Sequence, residues 1–273
     1  MEILDDQLHS VQDDKPSLEE LKQNGYNFDF SQYWNNAMTL FKECWGWIGL
    51  YIMIIGIAGN IIGFIPGGSA IWSPISGAMI AGITCHALAV LHGKKAEFGT
   101  FFNVFKHFGA LLIYQLILML IFVPFFIPTI IELMDSGLLE ILSSSTVAID
   151  IQDDPAIIDE IINIFTNNAP LFAIGIFLYS LMRIFTYLVN PMIVVGNLGV
   201  IDAIKMSFSL VSKNFFSVLG YSIVAGLFSI VGVLACGIGA IFTAGYTELA
   251  KLGMYSELAS IQPQDENLSE VEL

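Results

Sequence analysis

Charged residues are scarce in this chain, in which 55% of the residues are hydrophobic and only 13% are charged. About one quarter of the residues of a soluble domain are charged, so the composition disfavours a soluble globular fold. Charges are costly in hydrocarbon and are excluded from membrane-spanning helices, so the deficit is typical of an integral membrane protein. The acids crowd into residues 1–28, 132–170 and 259–273.

Cysteine and basic residues are also sparse. The three cysteines, Cys44, Cys85 and Cys236, lie far apart and form no CxxC pair, which excludes a readable disulfide framework. The chain has 10 lysines and arginines against 25 acids, for a net charge of -15. It therefore lacks the basic surface that nucleic-acid binding needs.

Catalytic signatures are missing as well. The sequence contains no glycine-rich phosphate loop, no GxSxG, no HExxH and no EF-hand pattern. The spacing of His86, His92 and His107 fits no zinc template. We therefore expect no metal site and no cofactor, and the sequence favours a protein without enzymatic activity.

Six stretches are long and apolar enough to cross a bilayer, which takes about 20 residues. The predicted spans are 45–65, 71–91, 108–131, 171–189, 215–235 and 238–255. The last span is the weakest because it contains Glu248 and Lys251. Short linkers predict that spans one and two, and spans five and six, form hairpins.

The basic residues predict the orientation, because they accumulate on the cytoplasmic side of a membrane protein. With the N-terminus inside, nine of the 10 bases fall on the cytoplasmic side, and the tenth, Arg183, lies within span four. Both termini are therefore predicted to be cytoplasmic, with acidic disordered tails at 1–28 and 259–273. A short helix is predicted within the first tail at residues 17–23. We expect the protein to lie in a bacterial cytoplasmic (inner) membrane as a multi-pass protein.

Three amphipathic helices are predicted on the cytoplasmic side, one before each odd-numbered span. Their apolar faces consist of Phe30, Trp34, Ala37, Phe41, Cys44 and Ile48, then Phe98, Phe101, Phe105 and Phe108, then Ile201, Ile204, Phe208, Val211 and Phe215. The predicted fold class is thus an all-α polytopic membrane helical bundle. It has six transmembrane helices and three cytoplasmic amphipathic helices that each precede a hairpin. These helices either cap the bundle ends or dock a partner.

Lysines and tyrosines recur along the three units. Each amphipathic helix ends near a lysine, and each following span contains a tyrosine: Lys42 and Tyr51, Lys106 and Tyr114, Lys213 and Tyr221. Residues 40–90 also align with 210–260, pairing Leu40 with Leu210 and Gly56 with Gly226. The pattern indicates one unit used three times, although a biased composition also produces such matches by chance.

The C-terminal third carries a family resemblance. The segments "LGVIDAIKMSFSLVSKNFFSVLGY" and "GIGAIFTAGYTELAKLGMYSEL" resemble uncharacterised bacterial polytopic membrane families related to the membrane domain of glycerophosphodiester phosphodiesterases. The matching residues are Leu198, Gly199, Ala203, Ser207, Leu210, Asn214, Phe215, Tyr255 and Leu258. The resemblance implies a membrane-embedded helical bundle without an assigned activity. The phosphodiesterase domain has no counterpart here, so its activity is not carried over.

Two charges are predicted to lie at membrane depth, Arg183 in span four and Glu248 in span six. Charges at depth face the bundle interior and usually pair, so we hypothesise an Arg183–Glu248 pair. Such a pair is a structural clamp or a ligand or proton site, unless one of the two residues snorkels to the interface. Asn60 and His86 are further candidate binding residues, and Gln115 and Asn190 are also polar at depth. Gly59 and Gly63 in "GNIIG" predict close helix packing.

The leading functional expectation is a non-enzymatic membrane scaffold or accessory subunit. Its partners are the lipid bilayer and a protein bound through the cytoplasmic amphipathic helices or the acidic tails, and not nucleic acid. The alternative is a small-molecule or lipid transporter that uses Arg183 and Glu248. In the outer acidic loop, 132–170, "DPAIIDEIINIF" predicts a short amphipathic helix.

Overall fold

A computed structural model describes residues 17–65, 67–93, 96–138, 156–234, 243 and 245–259. Every regular element in these ranges is helical, which confirms the all-α class. The N-terminal half contains α1 (Leu18–Asn24), α2 (Phe30–Gly63), α3 (Gly68–Ile80), α4 (Gly82–Leu91), a 3₁₀ helix (Phe98–Lys106) and α5 (Phe108–Phe122). A 3₁₀ turn (Val123–Phe125) precedes α6 (Ile127–Asp135), α7 (Ala156–Asn167), α8 (Ala169–Phe185), α9 (Val189–Val194), α10 (Val200–Lys213), α11 (Phe215–Leu234) and α12 (Tyr246–Leu258).

Within the described residues, three helical stretches are long and apolar enough to cross a membrane, namely Phe30–Gly63, Gly68–Leu91 and Phe108–Phe125. The number rises to five if two bent pairs each count as one span. These pairs are α7 with α8, bent by 55°, and α10 with the first part of α11, bent by 102°. The predicted sixth span, 238–255, lies partly outside the described residues. The structure is therefore compatible with a membrane protein of several apolar helices.

The first predicted amphipathic helix and the first predicted span form one continuous helix, α2. Asp29 caps it by accepting a hydrogen bond from the Gln32 amide at 2.9 Å. Its 34 residues extend for about 50 Å at ~1.5 Å per residue. A hydrocarbon core is about 30 Å thick. If the C-terminal, apolar end of α2 lies in such a core, roughly the first third of the helix extends outside it.

Two predicted spans end earlier than expected. Span three was expected to reach Ile131, but α5 ends at Phe122, before Pro124 and Pro128 in the first turns of the next two elements. Proline lacks an amide donor and so cannot continue a helix. Span four was expected to reach Val189, but α8 ends at Phe185 and α9 begins at Val189.

The second predicted amphipathic helix is a 3₁₀ helix, with three residues per turn. Residues three apart are eclipsed in a 3₁₀ helix, so Phe101 and Val104 lie in one buried row. Phe102 and Phe105 form an outer row and stack with ring centroids 6.1 Å apart. The aromatic face predicted for this segment is thus divided between an inner and an outer row.

Helix α10 packs against the bundle through a face that overlaps its predicted apolar stripe only at Val211. The buried side consists of Ala203, Met206, Ser207, Leu210 and Val211. Ile201 and Phe208 of the predicted stripe point outward and are 55% and 46% exposed. Helices in lipid pack through small residues, because hydrocarbon tails are as apolar as leucine. Ala203 and Ser207 therefore face the neighbouring helices.

Three helices, α4, α9 and α12, are buried around nearly their whole circumference and contact one another. Each also packs against a segment that was predicted to be amphipathic and to begin the next unit: α4 against the 3₁₀ helix, α9 against α10, and α12 against α2. Gly82 and Gly253 mark two of these contacts. A methyl group on Gly82 would lie 2.6 Å from the Phe101 carbonyl oxygen, and one on Gly253 would lie 2.9 Å from that of Tyr33. These contacts link the three predicted units in a closed ring, with α4, α9 and α12 at its centre.

The three recurring tyrosines are buried and make corresponding hydrogen bonds. The Tyr51 hydroxyl donates to the Met79 carbonyl at 2.8 Å, and the Tyr221 hydroxyl donates to the Ala250 carbonyl at 3.2 Å. The Tyr114 hydroxyl donates to Thr186 Oγ1 at 2.8 Å. In each case a tyrosine of one predicted span holds the next predicted span of the same predicted unit.

Peripheral segments complete the fold. Ser17 and Glu20 form a capping box at the start of α1, as the short helix predicted at residues 17–23 requires. Residues 17–28, predicted as part of a disordered tail, are folded: Asn214 donates a hydrogen bond to the Tyr26 carbonyl at 2.8 Å. Burial raises the pKa of the Tyr26 hydroxyl. The predicted outer-loop helix is confirmed as α7.

Candidate functional site

The centre of the ring contains a buried ion pair within α12. Lys251 donates a hydrogen bond to Glu248 Oε1, three residues earlier on the same helix face. Asn190 of α9 donates to the other carboxylate oxygen at 3.1 Å. Glu248 is 3% exposed and Lys251 8% exposed. Both oxygens of the carboxylate are thus engaged by buried donors, from α9 and from α12 itself.

Arg183 is not the ion-pair partner of Glu248, so the pair hypothesised from the sequence needs correction. The ion pairs among the described residues are Lys251–Glu248 and Lys22–Glu19. Arg183 lies in the last turn of α8 beside the Tyr114 hydroxyl and interacts with Glu248 only electrostatically. The sequence placed the right two charges near each other but assigned the carboxylate to the wrong cation.

Two polar atoms around this pair have no hydrogen-bond partner among the described residues: the Tyr187 hydroxyl and Asn190 Oδ1. The Lys251 ammonium lies over the Tyr187 ring, 5.8 Å from its centroid. A buried polar group without a partner costs about 1–3 kcal/mol. The cluster therefore retains hydrogen-bonding capacity beyond its own internal contacts.

A break between α8 and α9 lies next to the cluster and is stabilised by Ser207 of α10. The Ser207 hydroxyl donates to the Phe185 carbonyl at 2.9 Å and accepts from the Leu188 amide at 3.2 Å. One fully buried hydroxyl thus replaces two backbone hydrogen bonds that the break removes. Ser207 is one of the residues that carry the family resemblance.

Ser207→Ala is expected to lower the free energy of unfolding by about 1–3 kcal/mol, because the buried Phe185 carbonyl and Leu188 amide both lose their partner. The unfolding of purified protein in mixed detergent micelles measures this loss. Ser212→Ala on the same helix is the control, since the Ser212 hydroxyl is exposed and bonds only its own helix. Equal effects of the two substitutions would show that Ser207 does not stabilise the break.

Helix packing sets the level of the cluster along α2. Gly253 packs against Tyr33 and Ala37, whereas Gly245 packs against Ile48 and Ile52. The two helices therefore run antiparallel, and Glu248 lies near the level of Cys44. This level is the start of the first predicted span, so the cluster lies toward the predicted cytoplasmic boundary and not at mid-depth.

The other two candidate binding residues have separate partners. Asn60 is exposed and donates to the Gly56 carbonyl of its own helix at 2.8 Å. His86 is buried, with Nδ1 2.6 Å from Thr100 Oγ1 and its ring stacked on Phe101 at 4.1 Å. The structure therefore brings Arg183 and Glu248 into one cluster but leaves Asn60 and His86 outside it.

The predicted glycine face near Asn60 is a packing surface. A methyl group on Gly59 would lie 2.5 Å from the Trp72 indole nitrogen of α3, which confirms close helix packing there. Among the described residues, no group of three or more His, Cys, Asp or Glu side chains could hold a metal ion.

Sequence reasoning missed the roles of Lys251, Asn190 and Ser207. The first carried a usable signal, because residues three apart on a helix are neighbours and a Glu–Lys pair at this spacing can form an ion pair. Lys251 was instead counted only as a cytoplasmic base. The other two roles depend on which helices meet, and no local pattern encodes that.

Comparison with known proteins gives one partial match. A family model described as a domain of unknown function (DUF7847) matches residues 160–264, which is less than half of the chain. This segment includes Arg183, Asn190, Ser207, Glu248 and Lys251, so the charged cluster lies within the matched region. No curated protein and no solved structure matches the chain.

Proposed function

We propose that this chain is a non-enzymatic integral membrane protein that acts as a scaffold or accessory subunit. It would lie in a bacterial cytoplasmic membrane with six spans and both termini in the cytoplasm. The observation that carries the proposal is the outward apolar stripe of α10. Ile201 and Phe208 are exposed there, as is Lys205 between them. Such a helix is suited to a headgroup boundary or to a partner at that boundary.

The architecture supports this proposal through its repetition. Three units of amphipathic segment and hairpin would explain the corresponding tyrosine bonds and the closed ring of contacts. All three units would share one orientation, so the ring axis would run along the membrane normal. A ring with buried central helices offers a rigid platform with amphipathic segments around its cytoplasmic rim. The relationship to the membrane domains of glycerophosphodiester phosphodiesterases stays a proposal.

Co-purification of the full chain from native membranes tests the scaffold. We expect a stoichiometric protein partner, and Phe208→Glu should reduce its recovery about tenfold, because burying an unpaired carboxylate at the contact is costly. Ser209→Glu is the matched control, since it places the same charge about 100° around the helix. The absence of a stoichiometric partner, or equal loss in both variants, would contradict the scaffold.

A transporter is the second candidate, favoured by the helix break between α8 and α9. Discontinuous helices form ion and substrate sites in transporters, and this break lies between Arg183 and Asn190. The discriminating measurement is labelling of Asn190→Cys in vesicles by a membrane-impermeant thiol reagent. A scaffold predicts no labelling above the wild-type background, whereas a transport pathway predicts labelling from the aqueous side.

A further inference from the structure

The central cluster carries one positive charge in excess. The charged groups that act on Lys251 are Glu248 and Arg183, and the groups that act on Glu248 include both cations. Lys251 and Asn190 occupy the two carboxylate oxygens, so the charge of Glu248 is matched by Lys251. Within the described ranges Arg183 takes part in no ion pair, which leaves the guanidinium as the uncompensated charge of the cluster.

Arg183 is also the most accessible of the three charges. Glu248 and Lys251 are buried, whereas the Arg183 side chain is partly exposed. Helix α8 carries Ile176 and Phe177 on its outer surface, and these are 54% and 65% exposed. One side of Arg183 thus faces the cluster while its helix faces lipid. The partly exposed side chain of Arg183 therefore offers a ligand an approach from outside the ring.

Tyrosine hydroxyls surround the guanidinium and limit what it can bind. Tyr114 and Tyr179, four residues before Arg183 on α8, both interact with it electrostatically. A guanidinium presents five donors in a planar fork that fits the oxygens of a phosphate. The Tyr114 hydroxyl donates its proton to Thr186, so it positions the guanidinium and leaves the anion to Arg183. The uncompensated charge of the guanidinium favours an oxyanion over a neutral ligand.

The location of Arg183 indicates whether the phosphate belongs to a lipid headgroup or to a soluble anion. It lies in the last turn of α8, the turn that approaches the predicted cytoplasmic boundary. Basic pockets between membrane helices on this side bind anionic lipid headgroups, and the cytoplasmic leaflet is rich in anionic lipids. We propose that Arg183, with Tyr114 and Tyr179 beside it, binds the phosphate group of an anionic phospholipid of the inner leaflet. This inference goes beyond the scaffold role; its choice of leaflet rests on the orientation proposed above, whereas binding of an anionic lipid does not.

Native mass spectrometry and thermal unfolding of the full chain test this site, using phosphatidylglycerol and phosphatidylcholine as probes. The wild-type protein should retain phosphatidylglycerol about tenfold more tightly than phosphatidylcholine, and only the former should raise its Tm. Equal retention of the two lipids by the wild-type protein would overturn the proposal without any variant.

Arg183→Gln should abolish the preference, a loss of about tenfold in affinity, while Lys205→Gln should keep it. Lys205 is the matched control because it is an exposed base on the same predicted face that lies outside the cluster. If Arg183→Gln fails to accumulate, Arg183→Lys is used instead. It keeps the positive charge but loses the planar guanidinium, so it should weaken the preference for phosphatidylglycerol over phosphatidylcholine. An unchanged preference in the folded variant overturns the assignment.

Inorganic phosphate is the last probe and distinguishes the source of the anion. The lipid assignment predicts that millimolar phosphate neither raises the Tm nor displaces phosphatidylglycerol. If phosphate raises the Tm of the wild-type protein and phosphatidylglycerol does not, the site takes a soluble anion and the lipid assignment is wrong.

Discussion

Glu248→Gln is expected to lower the free energy of unfolding by about 3–5 kcal/mol, because it leaves the Lys251 ammonium buried without a counter-ion. The nearest other charge is Arg183, which has the same sign and adds repulsion. The measurement is unfolding of the purified chain in mixed micelles, read by helix content, with folded yield as a second readout.

A matched control exists within the same chain. Glu19 and Lys22 also form an ion pair three residues apart, with a distance of 3.3 Å, but both are exposed on α1. Exposed pairs contribute only about 0–1 kcal/mol, so Glu19→Gln should have little effect. Comparable losses in the two variants would show that burial does not determine the cost at Glu248.

The double variant Glu248→Gln/Lys251→Met separates two contributions to the free energy of unfolding: the destabilisation by an unpaired buried charge, and the net stabilisation by the ion pair. Replacing both partners of a buried ion pair by uncharged groups of similar volume is often neutral or stabilising. The double variant should therefore recover most of the stability that Glu248→Gln loses. A double variant no better than the single one would mean that the cluster needs the pair itself, as a ligand or proton site would.

Gly253→Leu is the second substitution with a large expected effect, because it separates α12 from α2. A methyl group at this position alone would lie 2.9 Å from the Tyr33 carbonyl oxygen and 3.0 Å from the Ala37 amide nitrogen. These are backbone atoms and cannot move aside alone. Overpacking costs about 1–3 kcal/mol and sometimes more, and a leucine should exceed that range.

The contact between α12 and α2 closes the ring, so loss of folded yield is the expected outcome of Gly253→Leu. Gly220→Leu on α11 is the control, since no neighbouring atom lies within 4 Å of a methyl group at Gly220. This substitution should leave yield and unfolding near those of the wild-type protein. A well-folded Gly253→Leu variant would show that the ring is not closed through this contact.

Local sequence patterns predicted much of the helix content. The helix predicted at residues 17–23 is present, and a serine and a glutamate three residues apart accept hydrogen bonds from each other's backbone amides at its start. Helix α7 followed from its apolar spacing, and α11 from an uninterrupted apolar run. The shortening of the third span was not predicted, although its cause, two prolines, acts locally. Each of these features depends on residues within one or two turns.

Rotations and partners of the helices were not predictable in the same way. In water the apolar face of a helix is the buried face, but lipid accepts apolar side chains as readily as a protein interior does. The apolar stripe of α10 predicted an interfacial helix but not which face packs against the bundle, and Ala203 and Ser207 form that buried side. Small residues permit two helices to approach closely, and how much this stabilises the fold depends on which helix lies opposite.

Composition and hydropathy by themselves determined that this is an all-helical protein with apolar stretches long enough to cross a membrane. They also supplied the three tyrosines whose hydrogen bonds relate the predicted units. Only the tertiary structure decided that the least apolar predicted span holds α12, the helix enclosed by the others, and that Glu248 pairs with Lys251. The physical reason is that a buried charge is tolerated where its partners converge, and those partners come from separate helices whose packing no local pattern specifies.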